Sequence, residues 1–358
     1  MNWGLGHATR CIPIIRYLVE SGRQVVIAAD GRPLKLLESE FPDLQVIPLP
    51  GYDIVYPNNG SMAVAMARQI PKILRAISGE NKWLKAWADR EKPSLIISDN
   101  RFGLHHTTIP SVYITHQLNI KTPARVAFLQ PLLATLHNEA IERFTECWIP
   151  DFESPPGLAG DLSHSTRPRR NAKYIGPLSR FEKRSAPIPV NQNSDDNFDL
   201  IVILSGPEPQ RSIFEELILS QLPKTKLKAL VIAGRSEEDS DEWVTDRVRL
   251  VSRMTSAALK DAIDHSSVVL SRPGYSTVMD LAVLEKRAIF VPTPGQTEQE
   301  YLGETLRTKP GYVVVEQHRF NLGQAWQEIE SKAGTPEVTG EFTSFIPLIE
   351  RFLTAKPR

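Results

Sequence analysis

The chain has little of what several classes of protein require. Only two cysteines occur in its 358 residues, Cys11 and Cys147, which excludes a disulfide framework and a cysteine-built zinc site. The 42 Lys and Arg residues balance the 42 Asp and Glu residues, and without a basic excess we expect no nucleic-acid partner. No apolar run reaches the ~20 residues that span a bilayer. The first residues lack the basic and apolar parts of a signal peptide, so the expected location is the cytoplasm.

Short apolar runs alternate with helical patterns through both halves of the chain. In the first half these runs are Gln24–Ala29, Leu44–Leu49, Ser94–Ser98, Ser111–Thr115 and Cys147–Pro150. In the second half they are Asp199–Leu204, Leu227–Ala233, Arg247–Ser252, Ser267–Leu270, Ala288–Pro292 and Tyr312–Val315. They are rich in Val, Ile and Leu with little polar alternation, which is typical of strands buried on both faces of a parallel sheet. The pattern predicts an α/β protein with two doubly wound Rossmann-like domains that face a cleft.

Composition divides the chain further. Polar stretches rich in Pro, Gly, Ser and Asn at residues 151–172 and 185–198 are typical of linkers between domains. We therefore expect a first domain over residues 1–176 and a second over 177–340. Residues 341–358 carry an apolar stripe at helical spacing, which predicts an amphipathic helix that packs back on the domains.

The chain begins with a glycine-rich segment that precedes a predicted helix at Cys11–Ser21. Gly4 and Gly6 would let the backbone approach a ligand closely, and His7 could accept a proton from a hydroxyl or bind a phosphate. The alternative is an ordinary strand-to-helix turn. A doubly wound domain usually has a central strand before this loop, so we expect the functional protein to extend about six to ten residues before Met1.

The second half offers two loops with phosphate-binding chemistry, each between a strand and a helix. Ser205 and Gly206 follow the run Asp199–Leu204 and precede a predicted helix at Ser212–Leu222. Arg211 in the same loop could clamp a phosphate, or it could be a solvated first-turn residue. The sequence Ser-Arg-Pro-Gly-Tyr-Ser-Thr-Val-Met-Asp at 271–280 follows the run Ser267–Leu270. It offers amides and hydroxyls to a diphosphate at Ser271, Gly274, Ser276 and Thr277, and Asp280 to ribose hydroxyls.

Further polar side chains follow other predicted strands. The carboxyl ends of parallel strands lie at one edge of the sheet, where ligands bind. In the first half these side chains are Asp99, Asn100, Arg101, His116, Gln117 and Asn119. In the second half, the loop before Tyr301 is dense in Gln and Glu side chains that suit sugar hydroxyls. No His, Cys or carboxylate cluster has the spacing of a metal site, and we expect neither a metal nor a cofactor.

These motifs resemble those of glycosyltransferase family 28, the MurG-like UDP-sugar transferases of the two-Rossmann B fold. The resemblance is strongest over residues 265–305, moderate at 4–10 and 109–119, and thin over 50–90 and 120–198. It implies that Gly274, Ser276 and Thr277 contact the donor diphosphate, and that Asp280 stands where the family has a ribose-binding Glu. The resemblance also assigns the uracil loop to Arg253 and Met254, and the donor sugar to Glu298 and Gln299. His7 and the pair His116-Gln117 match two family positions, the second of which is His-Glu in the family.

The resemblance implies an inverting, metal-independent transfer of a hexose, with N-acetylglucosamine as a candidate, from a UDP-sugar to an acceptor hydroxyl. His7 or Asp99 would deprotonate the acceptor, and helix-start amides at Gly206 and Gly274 with Arg211 would stabilise the leaving diphosphate. The alternatives are a UDP-sugar epimerase or hydrolase, and a catalytically silent nucleotide-sugar-binding protein. A dinucleotide oxidoreductase is disfavoured because Thr9 stands where its third glycine would be.

The acceptor is less well defined by the sequence. Residues 62–87 combine apolar positions at helical spacing with basic residues beside them. One interpretation is a peripheral contact with the inner face of the membrane, where the protein would meet a lipid-linked acceptor. The other, which we favour, is a core-facing helix with a solvated basic side.

Overall fold

Every apolar run predicted as a strand overlaps a strand of the structure, a computed structural model. It describes residues 5–49, 62–121, 128, 130–164, 170–182, 197–235, 240–336 and 340–354, with the backbone alone at 62–68 and 70. The chain divides into two compact units, unit 1 with residues 1–178 and 340–358, and unit 2 with residues 179–339. Within the described ranges, no helix is long and apolar enough to cross a membrane.

Unit 1 alternates helices and strands along the chain. Its elements are α1 (Leu5–Glu20), β1 (Val26–Ala29), α2 (Gly31–Glu40), β2 (Gln45–Pro48), α3 (Met62–Glu91), β3 (Ile96–Asp99), β4 (Ser111–Ile114), α4 (Gln130–Glu142), β5 (Glu146–Ile149) and β6 (Ala172–Tyr174). The strands β1 and β2 pair in parallel, and β3, β4, β5 and β6 form a second parallel sheet in that order. Every residue of β4 and β5 is buried, as expected of strands covered on both faces.

The first helix begins earlier than the sequence predicted. Gly6 and His7 lie inside α1 rather than in a loop before it, whereas Gly4 lies outside the described residues. Thr9 Oγ1 donates to the Gly6 carbonyl oxygen at 3.0 Å, which ties the first turn together. Because residues three apart share a helix face, His7 and Arg10 lie side by side.

Unit 2 contains one seven-stranded sheet. Its elements are β7 (Phe198–Ile203), α5 (Gln210–Leu219), β8 (Ala229–Ile232), β9 (Asp241–Trp243), β10 (Val248–Val251), α6 (Ser256–Asp264), β11 (Ser266–Ser271), α7 (Tyr275–Val283), β12 (Ala288–Phe290), α8 (Thr297–Arg307), β13 (Tyr312–Val314) and α9 (Leu322–Ser331). The strand order is β13-β12-β11-β7-β8-β10-β9, with β9 antiparallel to β10. Without β9, this is the Rossmann order, whose direction of winding reverses between β7 and β11. At that switch point Ser271 pairs with Ile203, so the loops that follow the two strands are neighbours.

The sequence did not predict the strands β6 and β9. Both are three residues long, and β9 is exposed throughout. Each lies at the edge of its sheet, where burial on both faces is not required. Neither strand therefore leaves a continuous apolar run in the sequence.

The last described helix, α10 (Phe345–Thr354), returns to unit 1. It buries Phe345 and Ile349 in a cluster with Ile14 of α1, Val112 of β4 and Trp148 of β5. Tyr17 OH of α1 donates to Glu350 Oε1 at 2.9 Å. The apolar stripe that the sequence showed is therefore part of the core of unit 1.

Removing part of that stripe should destabilise unit 1. Ile349 is 0% exposed, and Ile349→Ala is expected to lower the free energy of unfolding by about 2–5 kcal/mol, because it leaves a cavity. Urea unfolding of both proteins measures the difference. Thr354→Ala at the exposed end of α10 is the control and should change stability little. Equal stabilities of wild type and Ile349→Ala would contradict the packing.

Candidate functional site

Four side chains meet at the carboxyl end of the β3–β6 sheet. His7 and Arg10 come from α1, Asp99 ends β3, and His116 follows β4. His7 Nδ1 lies 2.7 Å from Asp99 Oδ1, and Arg10 Nε and Nη2 both donate to the Asp99 carboxylate. On its other side, Arg10 Nη1 donates to His116 Nδ1 at 3.0 Å. The sequence-predicted residues His7, Asp99 and His116 are thus brought together, with Arg10 between them.

The electrostatics of this cluster keep Asp99 ionised. Burial opposes the charge of Asp99, but Arg10 and then His7 outweigh it and hold the pKa of Asp99 well below its usual range. His7 Nδ1 lies 2.7 Å from the ionised Asp99 carboxylate and 2.8 Å from Arg10 Nη2. In the tautomer with hydrogen on Nδ1, His7 donates to Asp99 Oδ1, and Arg10 Nη2 donates to that same oxygen rather than to His7. Nε2 of His7 then carries the lone pair, and the side chain is 31% exposed. An imidazole held in this way can accept a proton from a hydroxyl.

Asp99 is a different kind of residue from the base that the sequence proposed. Its side chain is 7% exposed, and both oxygens are engaged, one by Arg10 and the other by His7 and Arg10. Cys11 Sγ also donates to Asp99 Oδ2 at 3.6 Å, and burial followed by the charge of Asp99 raises the pKa of this thiol. A carboxylate with so low a pKa and so little access orients His7 rather than removing the acceptor proton itself.

Arg10 is the member of the cluster to which the sequence gave no role. It is 2% exposed and forms the link between both histidines and the carboxylate. Its spacing from His7, three residues along one helix, was the available signal. The partner Asp99 lies 89 residues away, and no local pattern reveals that contact.

The other polar residues at this sheet edge mostly hold loops. Asn100 has a φ of 54° and accepts a hydrogen bond from Tyr113 OH at 2.7 Å, while Arg101 pairs with Glu80 and lies 3.6 Å from Asp30. These contacts join β1, α3 and β3.

The loop after β4 is tied to the loop after β5 by a residue predicted as an acceptor contact. Asn119 Nδ2 donates to the carbonyl oxygens of Asp161 and His164. Gln117 is half-buried, and its backbone amide donates to Thr115 Oγ1 at 3.1 Å.

Open backbone marks the switch point of unit 2. A Cβ atom built at Gly206 or at Gly274 would meet no atom within 4 Å, and Gly206 has a φ of 109°, which favours glycine. Gly274 is the N-cap of α7, and Ser276 and Thr277 lie half-buried in its first turn. Ser205 is half-buried beside Gly206. Free space, glycine backbone and a helix start together suit a phosphate group.

Two charged residues predicted to bind the donor have protein partners. Arg211 is 8% exposed and donates to Glu208, Glu215 and the Ala233 carbonyl oxygen. Its guanidinium is therefore paired inside unit 2, and its role as a phosphate clamp stays a prediction.

Asp280 is the second of these residues. It is 5% exposed and accepts hydrogen bonds from Ser179 Oγ at 2.7 Å and Arg180 Nε at 3.2 Å. Burial raises the pKa of Asp280, and Arg180 and Ser179 oppose this only in part. Asp280 thus anchors residues 179 and 180, and its contact with ribose hydroxyls stays a prediction.

The other residues predicted to bind the donor differ in their exposure to solvent. Ser271 is 1% exposed at the end of β11, and Gln299 Oε1 accepts from the Thr293 amide at 2.9 Å. Arg253 is exposed, and Met254 and Glu298 are half-buried. The Ser271 hydroxyl is buried without a hydrogen-bond partner in the part of the chain that the structure describes, and all of these residues stay predicted contacts. Among the described residues, no three His, Cys, Asp or Glu side chains gather as a metal site would require.

Comparison with known sequences identifies the class of protein. Residues 200–340 match the glycosyltransferase family 28 C-terminal domain. An uncharacterized glycosyltransferase of Methanosarcina acetivorans is 22% identical over 311 residues, 83% of this chain and 79% of the relative. A UDP-N-acetylglucosamine–N-acetylmuramyl-(pentapeptide) pyrophosphoryl-undecaprenol N-acetylglucosamine transferase of Buchnera aphidicola is 22% identical over 332 residues, 88% of this chain and 83% of the relative.

Solved structures agree on the fold. The glycosyltransferase of kitacinnamycin has a TM-score of 0.60 at 15% identity, covering 92% of this chain and 89% of its own. MurG of Acinetobacter baumannii has a TM-score of 0.51 at 12% identity, covering 91% and 87%. The Streptomyces glycosyltransferase SsfS6, complexed with thymidine diphosphate, has a TM-score of 0.55 at 16% identity, covering 96% of each chain. The chain is a glycosyltransferase with two Rossmann-like domains. More narrowly, it is similar to MurG and to glycosyltransferase family 28. The C-terminal domain of that family matches most of unit 2.

The ion pair of Arg10 and Asp99 predicts a pH-dependent stability. Because the pKa of Asp99 is lower in the folded protein than in the unfolded chain, its charge stabilises the fold at neutral pH. That contribution declines as the pH falls below the unfolded value of about 3.9. Asp99→Asn should therefore lower the free energy of unfolding by about 3–5 kcal/mol at pH 7, since it removes the carboxylate that pairs with buried Arg10.

Urea unfolding between pH 7 and the acid limit of folding measures this difference. The gap between wild type and Asp99→Asn should narrow as the pH falls. Asp246→Asn is the control, because its side chain is 88% exposed and should show almost no gap at any pH. A gap that stayed constant would contradict the low pKa of Asp99.

Proposed function

We propose that the protein transfers a hexose from a UDP-sugar to an acceptor hydroxyl, with inversion at the anomeric carbon and without a metal. The observation that carries this proposal is His7, whose Nδ1 is held by Asp99 while Nε2 is left to accept a proton. The expected donor sugar is N-acetylglucosamine, since the Buchnera relative is named as a transferase of that sugar. The proposed base belongs to unit 1 and the proposed donor site to unit 2.

The reaction is a single displacement. His7 Nε2 takes the proton of the acceptor hydroxyl as its oxygen forms a bond to the anomeric carbon. The bond from that carbon to the diphosphate oxygen breaks, and its electron pair leaves with UDP. Amides at the helix starts near Gly206 and Gly274 would stabilise the growing charge. Attack opposite the leaving group inverts the anomeric centre.

His7→Ala should separate catalysis from donor binding. The rate of transfer is expected to fall about 10²–10⁴-fold through loss of the general base, with UDP affinity unchanged. UDP release with a panel of UDP-sugars and acceptors, together with calorimetry, measures both quantities. His318→Ala is the matched control, because that imidazole is 70% exposed in unit 2 and should leave turnover unchanged.

The products of the same assay separate the alternative functions. Free sugar without acceptor would indicate a hydrolase, an epimeric nucleotide sugar an epimerase, and UDP binding without turnover a binding protein. Transfer by His7→Ala at the wild-type rate would remove His7 from the mechanism.

We further propose that unit 1 contacts a membrane and takes a lipid-linked acceptor. Apolar side chains stand exposed near and on α4, with Phe128 at 78%, Leu132 at 57% and Leu136 at 52%. On α3, Leu74 is 60% exposed, and the neighbouring Lys72 and Arg75 are exposed as well. Apolar side chains flanked by basic ones suit an anionic lipid surface.

Flotation with anionic vesicles tests the membrane contact. The double variant Leu132→Ser, Leu136→Ser should lower the affinity for vesicles by at least about tenfold, because two leucines no longer enter the lipid. Ile213→Ser, at a residue 43% exposed in unit 2, is the control and should float as wild type does. Wild-type protein that stayed with the lipid-free fraction would overturn the membrane contact while leaving the transfer reaction open to its own test.

A further inference from the structure

A buried arginine organises the ligand edge of unit 2. Arg272 is the first residue after β11 and is 1% exposed. Its Nη1 donates to the carbonyl oxygens of Val291 and Pro292, and its Nη2 donates to the Gln210 carbonyl oxygen and to Gln317 Oε1. These acceptors follow β12, begin α5 and follow β13. One guanidinium therefore joins the loops at the carboxyl ends of several neighbouring strands.

The charge of Arg272 has no counter-ion among the described residues. All four of its acceptors are neutral, its Nε is buried without a partner, and its guanidinium lies 4.0 Å from the centre of the Phe214 ring. Burial alone lowers the pKa of Arg272 to about 10. Arg211 at the same edge differs, since it pairs with Glu208 and Glu215. A buried charge without an opposite charge is unfavourable unless a ligand supplies one.

The position of Arg272 indicates which ligand would do so. It lies two residues before Gly274, where open glycine backbone begins α7 beside the loop of Gly206. A positive charge in a low-dielectric interior acts on a nearby anion more strongly than a solvated one. An anion held at this switch point would relieve the uncompensated charge without touching the guanidinium.

We propose that Arg272 is the buried positive charge that makes this site select a nucleoside diphosphate over the uncharged nucleoside. This inference rests on the proposed function, which places the donor at the same edge. Arg272 is a positioning residue: it holds the loops that present the backbone amides, and its field favours the phosphate charge. In the transfer step that field also favours the electron pair that leaves with UDP.

Calorimetry with UDP and with uridine tests the proposal on the full chain. Arg272→Gln should weaken UDP binding at least about tenfold while changing uridine binding less than about threefold, because only UDP carries phosphate charge. Arg272→Lys retains the charge and should recover most of the preference for UDP. Arg287→Gln is the matched control: this half-buried arginine also donates to carbonyl oxygens, those of Ile329 and Lys332, but it stands before β12, at the opposite end of the sheet. The ratio of UDP to uridine affinity should stay as in wild type.

Each outcome decides one question. If Arg272→Gln and Arg272→Lys weaken UDP and uridine by the same factor, Arg272 is a structural residue only and the proposal is overturned. If Arg272→Gln does not fold, Arg272→Met, which also lacks the charge, takes its place and the ratio of UDP to uridine affinity decides in the same way. Wild-type protein that binds neither UDP nor thymidine diphosphate would instead remove the proposed donor site, and the role of Arg272 with it.

Discussion

Parallel strands covered on both faces impose the constraint on which the rest of the molecule depends. Such strands satisfy their amides laterally and offer mostly apolar side chains to the layers around them, as β4 and β5 do apart from Ser111 and Glu146 at their starts. Polar chemistry is therefore displaced to the strand ends. In unit 1 this brings Asp99 and His116 to one edge, where α1 adds His7 and Arg10. In unit 2 it makes the loops of Gly206 and Gly274 neighbours.

The same constraint explains why arginines at these edges are buried. A guanidinium can donate to several carbonyl oxygens where strands end and regular pairing stops. Arg272 donates to three carbonyl oxygens in this way, and Arg211 to one. The buried arginines of these edges differ in how their charge is compensated. Arg10 is neutralised by Asp99, Arg211 by Glu208 and Glu215, and Arg272 by no carboxylate of the described residues. The compensated arginines stabilise the fold, and the uncompensated one is left to act on a ligand.

Local pattern was sufficient for most of the fold. Runs of Val, Ile and Leu predicted the buried strands, because burial on both faces requires apolar side chains. The short edge strands β6 and β9 were not predicted, because an edge strand does not require an apolar run. The site was predictable only as a set of strand-end loops. Asp280 shows the limit: its partners Ser179 and Arg180 lie about 100 residues away in the chain. The carboxylate of Asp280 suggested a contact with ribose, whereas in the folded chain Ser179 and Arg180 donate hydrogen bonds to it.

Arg211 shows a second limit of sequence reasoning. Its partner Glu215 lies four residues further along α5, a spacing that predicts a helical ion pair as readily as residue type predicts a phosphate clamp. Of these two arginines, the one without a carboxylate partner among the described residues is Arg272, which is more deeply buried and has no acidic residue at helical spacing. At a strand-end site, a charged side chain without a partner of opposite charge in the protein is therefore the better candidate for contact with a charged ligand. Proximity to a glycine-rich loop is by itself a weaker guide, because Arg211 and Arg272 both have it.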